Sequence, residues 1–389
     1  LKQLKRMRNK KNISISNISL SSGGAEKVIS LLLKKLVKDY NVTLFLFYND
    51  IHFDIPKEVN LVVFNKRGTK SITSISKFFD SLIFCFKFFK EIKKREISVS
   101  ITFLAFPNFL NSLAAIRFPK LKTVISERGY PSDNTTSKLS FYISKIFYPI
   151  LYNRNDVLFS NSIYINKDLE ENFKVRIPLK VIYNPIIMPS VGAFQNEITD
   201  KKETLKITTV GTINKRKNQK MIINAIAQLE KGYELSIYGN GNLKGNLKNL
   251  ISKKKLNKRV YLKGNVKDVN EHLIKYDCFV LSSFTEGFPN ALLEAMAIGL
   301  PCISTNCLSG PLELLNKTSD PISIEKGSFY KGTYGLLVNN DDETGLAKAL
   351  QYLKANPKIR MQYGKLARTK ANEFELDNIY NQFKELINY

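Results

Sequence analysis

The sequence predicts an α/β protein with two parallel-sheet domains in series, and three observations predict it. Short β-branched or aromatic runs alternate with longer amphipathic stretches. The alternation breaks at a polar, proline-bearing stretch and then begins again. The chain has 389 residues, too many for one small core and suited to two domains of ordinary size.

In the first half, "NISISNIS" (12–19), "NVTLFLFY" (41–48), "VNLVVF" (59–64), "ISVSITFL" (97–104), "KTVIS" (122–126) and "DVLFSNS" (156–162) read as strands. Between them "AEKVISLLLKKLVKDY" (25–40) and "SISKFFDSLIFCFKFFKEIKKRE" (74–96) read as helices. Such alternation points to a parallel sheet covered on both faces. The stretch 181–203, with prolines at 185 and 189, reads as the linker. Beyond it, 205–211, 233–239, 260–264, 277–283 and 301–306 are the new strands. Two such domains in series imply a cleft between them.

Composition narrows the function. Lys and Arg number 60 against 34 Asp and Glu, a net charge of +26, which attracts nucleic acid, anionic lipid or phosphorylated substrates. Cys85, Cys278, Cys302 and Cys307, with His52 and His272, form no metal-ligand spacing. They read as reduced thiols in a reducing compartment. No apolar run is long enough to span a bilayer, and the basic start "LKQLKRMRNKKN" lacks a signal-peptide core. A cytoplasmic protein is expected, its first dozen residues either a basic arm or an uncertain start.

The stretch "TEGFPNALLEAMAIGLP" (285–301) carries the strongest chemical signal. Glu286 falls just past a strand, at the carboxyl end where open α/β sheets bind ligands. Pro289 suits the first turn of a helix supplied by "NALLEAMAI". The amides of residues 287 to 290 are then unpaired and able to hold an anionic or hydroxyl-rich ligand. Glu294 lies about five residues into that helix, roughly 8 Å from the corner. With apolar residues at 291–293 and 295–298, little of the helix can face water. Two acids straddling a phosphate site suit a sugar nucleotide.

Three other stretches carry weaker signals. Gly23 and Gly24 in "SLSSGGAEKV" either admit a ligand to a helix N-terminus or make a tight turn and nothing more. Lys215, Arg216 and Lys217 in "VGTINKRKNQK" either neutralise a diphosphate or form a solvated basic loop. Gly239, Gly241 and Gly245 miss the dinucleotide-binding spacing by one residue and read as a turn lining the cleft.

The run E-G-F-P-N-A-L-L-E resembles the E-x7-E signature of retaining glycosyltransferases of family 4. "SGGAE", "ISER", "VIYNP", "VGTINKRKN", "GNG" and "GLLV" extend the likeness over nearly the whole chain. The resemblance implies the GT-B fold, two Rossmann-like domains facing each other across a deep cleft. It implies an acceptor-binding domain over 12–187, a nucleotide-sugar domain over 204–373, and a last helix, 374–389, crossing back to the first domain. Carried over, Glu286 meets the donor-sugar hydroxyls and Glu294 the ribose. Gly287, Phe288, Pro289 and Asn290 line sugar and diphosphate. Lys217 holds the diphosphate; Gly211, Thr212 and Arg216 also lie at the donor; Gly23 and Gly24 form the facing loop; Asn265 and Val266 read the base.

Two positions depart from that pattern. Thr212 stands where the family carries arginine, and Arg216 is the candidate replacement. Arg128 stands where many members have a histidine. Arginine cannot act as a base, but it can bind an anionic acceptor or the leaving diphosphate.

The chemistry implied is retaining transfer of a hexose or N-acetylhexosamine, with Glu286 and Lys217 as the catalytic pair. The donor the resemblance implies is a nucleoside-diphosphate sugar, with UDP as the expected nucleotide. No cofactor and no metal are expected, because no D-x-D occurs. The expected partners are the nucleotide sugar, a polyprenyl-diphosphate-linked or surface-polysaccharide acceptor, and an anionic membrane surface. Residues 77–96 and 138–154 mix aromatics with lysines and are either interfacial helices or a core with a solvated face. A sugar-nucleotide epimerase or a phosphorylase of the same fold is the alternative. A basic nucleic-acid-binding protein is a further one, but no recognition motif for nucleic acid is present.

Overall fold

The computed structural model describes residues 10–68, 74–133, 138–190, 204–266 and 268–388, without the side chains of 74–79 and 138–140. The chain divides into two compact units, Leu1–Pro185 with Leu376–Tyr389, and Ile186–Glu375. Residues 191–203 of the expected linker and the first nine of the basic arm lie outside the described residues.

The first unit is a seven-stranded sheet of β1 (Asn12–Asn17), β2 (Asn41–Tyr48), β3 (Asn60–Asn65), β4 (Val99–Phe103), β5 (Lys122–Glu127), β6 (Val157–Ser160) and β7 (Leu179–Val181), in the order β3-β2-β1-β4-β5-β6-β7. Every pairing in it is parallel. The helices are α1 (Gly24–Asp39), α2 (Ser74–Lys94), α3 (Ala105–Arg117), α4 (Lys138–Leu151) and α5 (Ile163–Phe173). Buried strands such as β2, with seven of eight residues inside, explain the continuous apolar runs in the sequence. Phe45, Phe47, Phe64, Phe84 and Phe88 form an aromatic core between β2, β3 and α2, with Phe45 and Phe88 edge to face at 5.7 Å.

The second unit holds β8 (Leu205–Val210), β9 (Tyr233–Tyr238), β10 (Val260–Gly264), β11 (Cys278–Leu281), β12 (Cys302–Thr305), β13 (Phe329–Lys331) and β14 (Leu336–Val338). Their order is β10-β9-β8-β11-β12-β14-β13. The sheet is parallel except at one edge, where β13 runs antiparallel to β14. That edge corrects the all-parallel reading: only four residues separate the two strands, room for a hairpin and too few for a crossover. The helices of this unit are α6 (Gln219–Gln228), α7 (Lys244–Lys253), α8 (Val269–Leu273), α9 (Asn290–Ile298), α10 (Pro311–Leu315), α11 (Glu343–Ala355) and α12 (Pro357–Asn372).

The last helix, α13 (Leu376–Asn388), belongs to the first unit. Phe383 is fully buried there, its ring 5.6 Å from that of Phe159. Asp39 accepts hydrogen bonds from Tyr380 Oη at 2.7 Å and Lys384 Nζ at 2.9 Å. Lys122 Nζ donates to the Leu386 carbonyl at 3.0 Å, a cation at the negative end of the helix.

Among their parallel strands both sheets change direction once, between β1 and β4 and between β8 and β11. A crevice opens at the carboxyl ends of strands where that happens. The second of these positions assembles the site.

Candidate active site

β8 and β11 are neighbours, paired Cys278 to Ile207 and Phe279 to Thr208. The loops that leave their carboxyl ends therefore meet, although they are far apart in sequence. The first is residues 211–218 and the second 282–289. Lys217 Nζ lies 2.5 Å from Glu286 Oε1, and Arg216 Nη1 lies 3.1 Å from Oε2. Ser283 Oγ donates to Oε1 at 2.6 Å. Burial pushes the Glu286 carboxyl up, but the charges of Lys217 and Arg216 and the bonds from Lys217 and Ser283 outweigh it. The group is held below the usual carboxylate range.

The two loops are also tied through their backbones. Ser282 Oγ donates to the Lys217 carbonyl at 2.9 Å, and the Phe284 amide to the Arg216 carbonyl at 2.8 Å. Arg216 Nη1 donates to the Thr285 carbonyl at 3.0 Å. Gly211 sits under the Lys217 stem, which a Cβ there would touch at 3.6 Å. Thr212 is exposed and its carbonyl accepts from Gln219 Nε2 at 3.1 Å. Arg216, and not residue 212, is thus the second cation on Glu286.

The Gly287-Phe288-Pro289 corner is buried, and α9 starts at Asn290. Pro289 is the N-cap, with φ −77° and ψ 98°, and its carbonyl takes the amide of Leu293 at 3.1 Å. This corrects two expectations. Pro289 precedes the first helical turn instead of occupying it, because its extended ψ cannot continue a helix. Without an N–H it also adds no amide to the corner, and Phe288 and Asn290 already have partners within the protein. Glu294 is buried, only 8 % exposed, as the apolar residues around it in the helix imply. Like Phe288, it has a partner within the protein.

The glycine turn after β9 has a packing role. A Cβ on Gly239 would stand 2.0 Å from the Gly211 carbonyl oxygen, and one on Gly241 2.1 Å from that of Ile213. The glycines let the β9 loop lie directly on the β8 loop, which accounts for them without a dinucleotide. Asn265 and Val266 follow β10 at the same edge of the sheet, Asn265 exposed and Val266 half-buried.

The first unit holds the remaining expected residues. Gly23 is the N-cap of α1, and Glu26 Oε2 lies 2.1 Å from where its Cβ would be. That oxygen is the tip of a flexible side chain that could swing away, so packing does not by itself require the glycine. Gly24 is exposed. Arg128 follows β5; its Nη2 donates to Asn184 Oδ1 at 2.5 Å, and its guanidinium lies 5.5 Å over Phe103 and 5.8 Å over Phe159. Burial pushes it down to about 9, which leaves it cationic at neutral pH. Among the described residues no group of three or more His, Cys, Asp or Glu could hold a metal ion.

Residues 192–370 match the family Glycosyl transferases group 1, and residues 22–187 match Glycosyltransferase Family 4. An N-acetylgalactosamine-N,N'-diacetylbacillosaminyl-diphospho-undecaprenol 4-alpha-N-acetylgalactosaminyltransferase of Campylobacter jejuni is 30 % identical over 361 residues, 92 % of this chain and 94 % of the relative. The chain belongs to glycosyltransferase family 4.

A second Campylobacter jejuni relative is 27 % identical over 96 % of this glycosyltransferase and 98 % of its own length. Its name is GalNAc-alpha-(1->4)-GalNAc-alpha-(1->3)-diNAcBac-PP-undecaprenol alpha-1,4-N-acetyl-D-galactosaminyltransferase. Among solved structures, sucrose-phosphate synthase from Thermosynechococcus elongatus superposes with TM-score 0.77 at 17 % identity, over 97 % of this glycosyltransferase and 98 % of that chain. HepE of Anabaena, in complex with UDP and glucose, superposes with TM-score 0.73 at 17 % identity, over 98 % and 100 %. At such identities the likeness shows the GT-B fold alone.

Sequence reasoning missed Ser283 and Ser309 in this site. Ser283 had a local signal, a hydroxyl three residues before Glu286 at the end of a strand. Ser309, whose hydroxyl donates to the Glu286 carbonyl, comes from the loop after β12, and only its Ser-Gly turn marked it.

Proposed function

We propose that this glycosyltransferase moves a hexose or N-acetylhexosamine, with retention, from a UDP-linked donor to a polyprenyl-diphosphate-linked or surface-polysaccharide glycan. The observation that carries the reading is Glu286, a buried carboxylate spanned by Lys217 and Arg216 at the amino end of α9. Cations fixed at one point stabilise charge as it builds on a departing diphosphate, and they need no reorganisation to do so. In this reading Lys217 and Arg216 turn to the diphosphate and Glu286 accepts from sugar hydroxyls. Glu294 takes the ribose, while Asn265 and Val266 read the base. The acceptor hydroxyl then enters on the face the leaving group quits, with no metal. Arg128 binds an anionic acceptor or the departing diphosphate. The names of the two Campylobacter relatives support the acceptor class and favour an N-acetylhexosamine. The UDP in the HepE complex supports the nucleotide.

A panel of nucleotide sugars screened by thermal shift, followed by transfer assays with lipid-linked glycans, tests this. Nucleoside diphosphate plus a lengthened glycan is expected. A free epimer or a sugar 1-phosphate in its place would overturn the reading.

Docking on anionic membrane is part of the proposal, and α4 supports it. Tyr142, Ile143, Ile146, Phe147 and Ile150 are all 46–62 % exposed there, a single helical face left in solvent. On α2 the aromatics divide: Phe84 and Phe88 are core, whereas Phe86 is 75 % exposed. Among the described residues no helix is long and apolar enough to cross a membrane. Flotation with vesicles should rise with anionic lipid and fall with salt, as the charge of +26 requires. Flotation indifferent to both defeats this part.

A further inference from the structure

Among the described residues three side chains hold the Glu286 carboxylate, and they differ in how near they lie to solvent. Ser283 is fully buried, the side chain of Lys217 is 14 % exposed and that of Arg216 45 %. Ser283 and Lys217 both sit on Oε1, at 2.6 Å and 2.5 Å, whereas Arg216 takes Oε2 at 3.1 Å. The carboxylate therefore has an inner oxygen, Oε1, against a buried hydroxyl, and an outer one, Oε2, whose partner is half-exposed. The way out to solvent lies on the Oε2 side.

Ser283 is also the most firmly placed of the three. It stands two residues past the end of β11, and its carbonyl accepts from Thr305 Oγ1 at 2.6 Å, at the end of the neighbouring β12. The residues on either side of it are tied to the cation loop, Ser282 through its hydroxyl to the Lys217 carbonyl and Phe284 through its amide to that of Arg216. Its oxygen lies one rotatable bond from the backbone, whereas lysine and arginine swing on long stems. In the donor reading both cations turn to the diphosphate, and Ser283 is the donor that stays. Burial alone would then favour the neutral acid, and a hydroxyl on Oε1 favours the charged one. The last torsion of a glutamate is soft. Exchanging its two oxygens here would break the Ser283 bond.

We propose that Ser283 is a positioning residue of the donor site, pinning Oε1 of Glu286 so that Oε2 is the oxygen that accepts from a hydroxyl of the transferred sugar. The assignment rests on the donor reading given above and deepens it. It names which oxygen meets the sugar and what keeps it there once the cations have moved.

Ser283→Ala removes the hydroxyl and little else. With the UDP-sugar that wild-type protein uses fastest, its kcat/KM should fall about tenfold or more, the size of a lost bond to a charged group. Its affinity for UDP, which lacks the transferred sugar, should stay within about twofold of wild type in calorimetry. Ser283→Cys keeps the volume, should the alanine protein fold poorly, and as a weaker donor should lie between the two. Added to Glu286→Ala, Ser283→Ala should cost nothing further, because it acts only through that carboxylate. Wild-type kcat/KM in Ser283→Ala would overturn the assignment. So would a loss that adds in full to that of Glu286→Ala, or a UDP affinity that falls as far as kcat/KM, the marks of a merely structural serine. Wild-type protein that turns over no UDP-sugar of the panel would instead bring down the donor reading, and this inference with it.

Discussion

Glu286 and Glu127 are two buried carboxylates at the carboxyl edges of the two sheets, and their surroundings are opposite. Glu286 is held low by Lys217 and Arg216. Glu127, the last residue of β5, meets only neutral side chains: Tyr152 Oη donates to it at 2.5 Å and Asn108 Nδ2 at 3.3 Å. Burial pushes it up to about 7, against the smaller opposing effect of those bonds and the Arg128 amide. Arg128 is adjacent in sequence, but its guanidinium points to Asn184 and the two phenylalanine rings. Burial therefore does not decide the charge of a carboxylate; the cations placed around it do. One acid is kept ionised between two cations. The other ties β5 to α3 and to the turn after α4.

The comparison breaks most sharply at Glu286. Replacing it, or Lys217, by alanine should lower turnover by about 100-fold or more, the size of losing a preorganised charge contact. Near-normal transfer by purified Glu286→Ala protein ends the assignment of that acid. At Glu127 the effect is on stability. Its folded pKa of about 7 lies above the ordinary 4.5, so its contribution is full below the ordinary value and lost as pH rises through 7. Over that window the loss amounts to at most about 3 kcal/mol. Denaturant midpoints of Glu127→Gln should stay level between pH 5 and 8 while the wild type falls; parallel curves refute the shift. Glu286 has the opposite sign, stabilising above its unfolded value and losing that as pH falls through its folded one. The smallest effect is expected at Arg216, whose side chain is 45 % exposed. Arg216→Ala should cost about tenfold in kcat/KM, because solvent screens an exposed pair. A loss equal to that of Lys217→Ala would make the two cations equivalent and erase the distinction between them.

The parts of this picture that could be read in the chain are those with a local signature. Strand β2 runs over 41–48 as the seven apolar or β-branched residues after Asn41 indicate. The "SSFTEGFPNALLE" run shows a strand end, a corner and a buried helix within one window. Glu294 had to be buried because its neighbours on every side of the helix are apolar. Lys217 was legible as a cation on a strand-to-helix loop, but its contact with Glu286, 69 residues away, was not. Pro289 was misplaced because proline suits both the N-cap and the first turn, and only its ψ separates them. The aromatic stretch of α4 could have been core or surface, since its pattern fits either; packing left Tyr142, Ile146 and Ile150 outside.

The chain itself determined the alternation of strand and helix, the restart of the pattern in the second half, and the acids that flank one helix start. Periodicity and turn chemistry act over a few residues and leave their mark there. The tertiary structure alone decided that β8 lies beside β11 and β12 follows on the other side. That adjacency brings Lys217 and Arg216 to one face of Glu286 and Ser309 to its carbonyl. Strand order is settled by crossovers dozens of residues long, and no short window of sequence records which loops will share an edge.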